Sequence, residues 1–185
     1  LMGRTIDDAA GEAFDKGAQM LGLGYPGGPL IDAAARKGRP TAVRFPRSRV
    51  RTGQLDFSFS GLKTALLYHL QGMSPQAIAE HQEAIVDVLV RQAFAAVERA
   101  GVSALAVVGG VSANSRLRAR LAERAAKEGI ELGLPALSYC TDNAAMIAAA
   151  GQRALLRGNV TSLDCEAMPD CALPSSSGSG AVRRK

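Results

Sequence analysis

The fold is decided by one stretch of sequence, Ala104-Leu105-Ala106-Val107-Val108-Gly109-Gly110-Val111-Ser112-Ala113-Asn114. Its apolar first half predicts a short buried strand, and Gly109-Gly110 predicts a tight turn directly after it. We expect a helix to begin between Ser112 and Ser115, where free N–H groups and the positive end of the helix dipole suit a phosphate or a carboxylate. A plain tight connection, in which Asn114 only caps the helix, fits the same residues, so the pattern leaves both interpretations open.

Helical and strand patterns lie on both sides of this stretch. Upstream, Ser74-Pro75 predicts the start of a long helix that ends at Gly101. Downstream, alternating apolar residues at 130–134 predict a second strand, and Thr141-Asp142-Asn143 predicts the cap of an apolar helix over 144–156. The order of strand, glycine turn, helix, strand and helix predicts an α/β layered fold.

The N-terminal segment predicts a further helix and a turn. Thr5-Ile6-Asp7-Asp8 has the pattern of a helix start, so we expect a helix from Thr5 to Gly22 with Asp8, Glu12 and Asp15 on its polar face. The turn Tyr25-Pro26-Gly27-Gly28-Pro29 follows, and its glycines let a backbone or a ligand approach closely.

Composition restricts the class of protein. The chain has 185 residues, of which 47% are hydrophobic and 21% charged, and this composition excludes wholesale disorder. No apolar run approaches the length that spans a bilayer, and the first residues lack the apolar core of a signal peptide. Three cysteines without a C-x-x-C spacing favour a reducing, cytoplasmic setting. The start at Leu1, without a Met, suggests a cut inside a longer protein.

Basic residues are concentrated in one segment. Between Arg36 and Arg51 there are seven basic residues and no acidic one, in a chain whose net charge is +5. This segment is either a solvated basic loop or a surface that contacts nucleic-acid phosphates, and the sequence leaves both open. The candidate contacts are Arg44, Arg47 and Arg49.

Asp142 is a candidate metal ligand. We expect it in the first turn of the apolar helix, where a carboxylate either satisfies the helix dipole or is held rigidly for a metal ion. The chain's two histidines, His69 and His81, lie on separate predicted helices and lack metal-site spacing. Any histidine ligands would therefore come from outside this chain.

Five sequence blocks carry a family resemblance. They are residues 5–16, 22–29, 55–64, 109–114 and 140–148, which read TIDDAAGEAFDK, GLGYPGGP, LDFSFSGLKT, GGVSAN and CTDNAAMIA. Together they resemble the TsaD family, the tRNA N6-adenosine threonylcarbamoyltransferases, formerly labelled Gcp or O-sialoglycoprotein endopeptidase. The resemblance runs from residue 1 to about Leu173 and corresponds to the C-terminal half of the family.

The resemblance implies a fold and a reaction. The fold is an incomplete lobe of the actin-like ATPase superfamily, which includes sugar kinases, Hsp70 and actin. The reaction transfers the threonylcarbamoyl group from threonylcarbamoyl-adenylate to N6 of adenosine 37 in tRNAs that read codons starting with A. The resemblance implies that Asp142 binds a divalent metal ion, iron or zinc. The positions that it implies for contacts with the substrate or nucleotide are Asp15, Gly28, Asp32 and Asn114.

The resemblance also implies partners and a division of the chain. The partners are tRNA, a TsaB-like paralogous subunit and a TsaE-like ATPase, with no membrane involved, and tRNA makes Arg44, Arg47 and Arg49 candidate tRNA contacts. We expect residues 1–158 to form the C-terminal α/β lobe, with a loop or hairpin insertion at about 38–57. Residues 159–185 are expected to form a C-terminal extension and flexible tail.

Two departures and two alternative functions accompany the resemblance. The family's H-x-x-x-H metal motif is absent from this sequence, so we expect the chain alone to bind metal poorly and to be inactive. The chain ends with a Ser/Gly tail where the family usually has an R-P-R-W-P-L-like stretch. The main alternative is a non-catalytic actin-like module that binds a nucleotide or a partner. The second is a metalloendopeptidase, which is less favoured because this sequence has no H-E-x-x-H motif. No catalytic residue is identified.

Overall fold

The computed structural model describes residues 1–39, 44–47, 55–69 and 75–166. Parts of the expected insertion and tail lie outside the described residues, namely residues 40–43, 48–54 (with Arg49) and 167–185. The described part contains α1 (Ala10–Met20), α2 (Gly27–Ala35), α3 (Ser60–His69), α4 (Pro75–Ala100), β1 (Ala104–Ala106), α5 (Ser115–Glu128), β2 (Glu131–Gly133) and α6 (Ala144–Leu156). Within these ranges no helix is both long and apolar enough to cross a membrane.

The described residues divide into two compact units. Met2–Asp142 form one unit, and the other begins at Asn143 and contains α6. The Oδ1 atom of Asn143 accepts a hydrogen bond from Met146 N at 3.0 Å and caps α6, as the sequence predicts. None of the α6 residues is buried. The boundary expected from the sequence, at residue 158, lies after α6 and not before it, and it stays a prediction.

The long helix α4 organises the first unit. It contacts α1, α2, α3, α5 and β1, and it ends at Gly101, whose φ of +63° suits glycine. Its apolar side chains enter two clusters, one with α1, α2 and α3 and the other with α5 and the two strands. Fully buried members include Phe14, Ile31 and Ile85 in the first cluster and Phe94 and Leu121 in the second.

The helix α1 begins at Ala10, so the predicted start at Thr5 was wrong. The carboxylate of Asp7 instead accepts hydrogen bonds from Ser58 Oγ at 2.5 Å, Phe59 N at 2.8 Å and Ser60 Oγ at 2.8 Å. It therefore caps the start of α3. Burial raises the pKa of Asp7, but these hydrogen bonds outweigh it and hold the pKa below its ordinary value.

The two strands form a small parallel sheet. Ala104 pairs with Glu131, Leu105 with Leu132 and Ala106 with Gly133. Leu105 packs against the second apolar cluster, whereas Ala104 and Ala106 on the other face are exposed. The expectation of a buried strand was therefore wrong, because the described residues cover only one face of the sheet. The α/β class itself is confirmed.

The packing of α1 against α4 depends on a missing side chain. A Cβ atom on Gly17 would lie 3.0 Å from Cδ2 and 3.1 Å from Cε1 of the buried His81 ring, and closer still to its Nε2. A Cβ on Gly11, one turn and a half earlier in α1, would lie 3.7 Å from Val111 Cγ2, which is ordinary contact.

We predict that Gly17→Ala destabilises the chain by about 1–3 kcal/mol, because the added methyl group displaces His81 from a packed core. Gly11→Ala is the matched control in the same helix, and it should be neutral or stabilise by up to about 1 kcal/mol through helix propensity. Urea unfolding of both variants measures the difference. Equal stability of the two variants would contradict the close packing of Gly17 on His81.

Candidate functional site

Asp15 and Gly28 lie where α1 meets α2. Asp15 Oδ1 accepts a hydrogen bond from the backbone N–H of Gly27 at 2.7 Å. Gly27 permits this approach, since a Cβ there would lie 2.6 Å from Asp15 Cα and 2.6 Å from Phe14 O. At Gly28, by contrast, no heavy atom of the described residues lies within 4 Å of the position of a Cβ, so this side of the helix end is open.

Asp32 connects α2 to the start of α5. Its side chain is buried, and Oδ1 accepts a hydrogen bond from Ser115 Oγ at 2.7 Å. Oδ2 accepts from Arg36 Nη2 at 3.2 Å, so both oxygens already have a partner. Because Gly28 and Asp32 are four residues apart, they lie on the same face of α2.

Asn114 is the buried N-cap of α5. Its Oδ1 accepts from Leu117 N at 2.9 Å, and its Nδ2 donates to Gln82 Oε1 of α4 at 3.0 Å. The predicted turn after β1 is a 3₁₀ turn over Gly110–Ala113, entered through Gly109 at φ +91°. Asn114 therefore caps the helix, and its Nδ2 keeps a second hydrogen for another acceptor. Whether the turn also holds a ligand stays a prediction.

The four candidate ligand residues surround one junction of three segments. Gly11 and Asp15 share a face of α1, and Val111 Cγ2 lies 3.7 Å from a Cβ placed on Gly11. The turn that contains Val111 continues to Asn114 and Ser115, which reach Gln82 and Asp32 respectively. The structure thus brings together Asp15, Gly28, Asp32 and Asn114, which are up to 99 positions apart in the sequence.

Comparison with known proteins gives the family. A sequence model of TsaD, described as tRNA N6-adenosine threonylcarbamoyltransferase, matches residues 1–149. The chain belongs to the TsaD family. The resemblance predicted from the five sequence blocks is therefore confirmed.

Three relatives are named tRNA N6-adenosine threonylcarbamoyltransferase. The protein of Anaeromyxobacter dehalogenans is 54% identical over 177 residues, which cover 91% of this chain and 53% of the relative. The proteins of Salinibacter ruber and Thermotoga neapolitana are 50% and 48% identical to this chain. Each match covers 94% of this chain, and it covers 55% and 54% of the respective relative. The chain spans about half the length of the curated relatives it matches.

Asp142 belongs to no group of three metal-binding side chains in the described part of this TsaD chain. It is exposed and precedes the N-cap Asn143, so it does not lie in the first turn of α6 as predicted. Among the described residues, no group of three His, Cys, Asp or Glu side chains is arranged to hold a metal ion. Those residues therefore do not fit a complete metal site.

The basic segment is anchored to α4 through Arg47. Its guanidinium pairs with the buried Glu80 and, through Nε at 3.1 Å, with Asp87. Arg44 is exposed, and Arg49 lies outside the described residues. Of the three candidate tRNA contacts, Arg47 is therefore held in an ion-pair network and Arg44 is open to solvent.

A row of buried polar residues in α4 of the TsaD chain is not among the residues predicted from the sequence. Glu80, His81, Gln82 and Glu83 are consecutive and all buried. Gln82 holds Asn114 at the candidate site, and Glu83 pairs with Arg116 and Arg120. The sequence signal for this row is a run of four successive polar residues within a mostly apolar helix pattern. Polar residues on a solvent-facing side of a helix would instead be separated by apolar residues.

His81 is a buried neutral histidine. Its Nε2 donates to Ala13 O at 3.3 Å, while its buried Nδ1 has no hydrogen-bond partner among the described residues. Burial lowers the pKa of His81 from 6.5 to about 4, and the hydrogen bond to Ala13 opposes this shift only partly. Between these two pKa values the unfolded chain binds a proton that the native chain excludes, so stability falls as the pH falls.

We predict that the free energy of unfolding drops by about 2–3 kcal/mol between pH 7 and pH 4.5 because of His81. His81→Gln, which cannot be protonated, should remove this part of the pH dependence. His69→Gln, which removes the chain's other histidine, is the control and should keep it. The measurement is urea unfolding at both pH values, and an unchanged pH dependence in His81→Gln would show that His81 is not the group responsible.

Proposed function

We propose that this chain is the C-terminal half of a tRNA N6-adenosine threonylcarbamoyltransferase. The reaction would transfer the threonylcarbamoyl group from threonylcarbamoyl-adenylate to N6 of adenosine 37 in tRNAs that read codons starting with A. The observation that carries the proposal is the junction of α1, α2 and the turn before α5, where Asp15, Gly28, Asp32 and Asn114 converge. The α/β arrangement of the first unit suits part of an actin-like ATPase lobe.

Three of the four residues at the junction are placed to contact an adenylate, and the fourth supports them. Asp15 Oδ2 has no hydrogen-bond partner among the described residues, so it is placed to accept from a ribose hydroxyl. The open side of Gly28 lets the ligand approach the N-terminus of α2, whose N–H groups suit a phosphate. Asn114 offers its second Nδ2 hydrogen. Asp32, already bonded on both oxygens, fixes Ser115 and the start of α5.

The transfer step is an acyl substitution. N6 of adenosine attacks the carbamoyl carbon, the bond from that carbon to the phosphate oxygen breaks, and AMP leaves while N6 loses a proton. At the junction, the protein's part is to hold the adenylate and to orient the carbamoyl carbon, since correct positioning lowers the barrier of a bimolecular step. Asp142 would supply one ligand to a divalent metal ion, iron or zinc, which would act as a Lewis acid when bound.

The proposal includes partners. A TsaB-like subunit and a TsaE-like ATPase would accompany the whole protein in the cytoplasm, with tRNA as the macromolecular substrate. The presence of Asp15, Gly28, Asp32, Asn114 and Asp142 favours an enzyme over an idle nucleotide-binding paralogue, because such a paralogue would be expected to lose its ligand positions. No observation of this chain favours a metalloendopeptidase.

The test supplies the part of the relatives that this chain does not span. The upstream half of the Anaeromyxobacter dehalogenans protein is joined to residue 1 to give a chimera. Unmodified tRNA and threonylcarbamoyl-adenylate are then added, and formation of N6-threonylcarbamoyladenosine (t6A) is followed by mass spectrometry of the digested nucleosides. We expect t6A to form. An adenylate-binding chimera that forms no t6A, with the partner proteins supplied, would support the non-catalytic module instead.

Substitutions in the same chimera test the site. Asp15→Asn keeps an acceptor for the Gly27 N–H but loses the carboxylate, so adenylate affinity should fall about 10- to 100-fold, as expected for one charged hydrogen bond. Asp142→Ala should lower both the bound metal and the transfer rate. Asp164→Ala removes an exposed aspartate that bonds to nearby Ser162, and it should change neither. Wild-type adenylate affinity in Asp15→Asn would place the ligand elsewhere.

A further inference from the structure

A charged groove of about 850 Å³ runs between α4 and α5. Its lining includes three carboxylates, on Asp87, Glu123 and Glu128, and one apolar side chain, Val90. Six cationic side chains line it as well, and they are Arg47, Arg91, Arg116, Arg120, Arg124 and Lys127. The cations outnumber the carboxylates of the lining by two to one. They still exceed them by one when Glu80 and Glu83, which pair with these arginines from beneath, are counted, so an anion at the groove surface meets a net positive field.

The arginines of α5 form a regular row. Arg116, Arg120 and Arg124 occupy every fourth position, so they share one face of the helix and follow one another at a rise of about 6 Å. Successive phosphates along a nucleic-acid strand are separated by a similar distance. A row of guanidinium groups at this spacing therefore matches a run of phosphates better than it matches a single anion.

Carboxylates beneath the row hold the guanidinium groups in place. Glu83 is buried and accepts from Arg116 Nε at 2.5 Å and Nη2 at 3.1 Å, and it also pairs with Arg120. Asp87 accepts from Arg120 Nη2 at 3.0 Å and from Arg47 Nε at 3.1 Å. Each guanidinium has five N–H donors, and these bonds use only some of them. The remaining donors are thus pre-oriented, which lowers the entropy cost of binding an anion.

The outer end of the row is less constrained. Arg124 lies with its Cζ 4.6 Å from the centre of the Phe94 ring and pairs with Glu128 through Nε at 2.7 Å. Lys127 has no ion-pair partner among the described residues and is exposed. These two cations are therefore available to an anion without breaking a buried ion pair.

The groove begins beside the candidate ligand site. Gln82 and Glu83 are neighbours on α4, and they bond to Asn114 at the site and to Arg116 at the groove. A strand of nucleic acid lying in the groove would thus pass next to the junction at which the transfer reaction is proposed. A protein partner is less well matched, because the cores of protein interfaces are apolar and Val90 is the one apolar side chain of the lining.

We propose that the groove between α4 and α5 binds the phosphate backbone of the tRNA substrate, with Arg116, Arg120, Arg124 and Lys127 as the contacts. The identification of the anion as tRNA rests on the proposed function. The groove itself rests on the arginine row, its supporting carboxylates and its position. Binding there positions the tRNA and carries no sequence specificity, since phosphates are common to every nucleotide.

The test is the affinity of the chain for unmodified tRNA over a series of KCl concentrations, measured by fluorescence anisotropy. Each lost phosphate contact makes the slope of log affinity against log salt less negative by about 0.7–0.9. The double variant Arg124→Gln/Lys127→Gln should therefore reduce the magnitude of the slope by about 1.5. Glu123→Gln removes a negative charge from the groove without touching a cation, so it should tighten binding. Arg153→Gln/Arg157→Gln, which removes two exposed charges at the C-terminal end of α6, is the charge-matched control and should leave the slope within about 0.3 of the wild type.

Each outcome bears on the groove alone. Three results would overturn the proposal: an unchanged slope in Arg124→Gln/Lys127→Gln, weaker binding in Glu123→Gln, or absence of tRNA binding by the chain. The first result would indicate that the groove binds a protein partner or is only a structural ion-pair network. The chimera assay separates this from the proposed function. If t6A forms while the groove variants bind tRNA normally, only the groove proposal fails. If the groove variants behave as expected and no t6A forms, only the proposed function fails.

Discussion

The rest of the structure depends on four consecutive polar side chains buried in α4, Glu80 to Glu83. Successive residues of a helix point about 100° apart, so the four side chains face different neighbours. Glu80 reaches Arg47, His81 reaches the carbonyl of Ala13 in α1, Gln82 reaches Asn114, and Glu83 reaches the arginines of α5. Buried polar groups are costly without partners, so each contact restricts where its neighbouring segment can lie. The surrounding elements are thereby fixed in rotation as well as in distance, which apolar packing alone does not ensure.

The candidate site inherits its rigidity from this row. Asn114 follows a glycine-containing turn that would otherwise have considerable freedom. Its side-chain nitrogen donates to Gln82 of α4, and its side-chain oxygen accepts from Leu117 in the first turn of α5. Asp15 is fixed in the same manner by the Gly27 N–H. The side chains of the candidate site are thus held by contacts with neighbouring helices, which is the arrangement that keeps ligand groups in register.

Much of the secondary structure could be predicted from the sequence because it is set locally. The ends of α4 and α5 at Gly101 and Gly129 and the cap of α6 by Asn143 follow from helix-end chemistry within a few residues. The start of α1 could not be predicted, because Asp7 forms its hydrogen bonds 51–53 positions away. The same holds for Arg47, which pairs with residues 33 and 40 positions away. Of the site, the residue types were predictable through the family resemblance, whereas the support from Gln82 was not, since nothing nearby in the sequence connects it to Asn114.

The small sheet has a consequence for how the chain reaches its folded state. The contacts of β1 with β2 join residues 27 positions apart, such as Ala104 and Glu131, with α5 folded between them. The bridge between Thr5 and Phe57 joins residues 52 positions apart, across a segment that contains α1 and α2. The entropy lost on closing a loop grows with its length, and a helix shortens the effective loop. The strand–helix–strand unit, whose paired residues are about half as far apart in the sequence, therefore closes at a lower entropic cost than the bridge of the N-terminal segment.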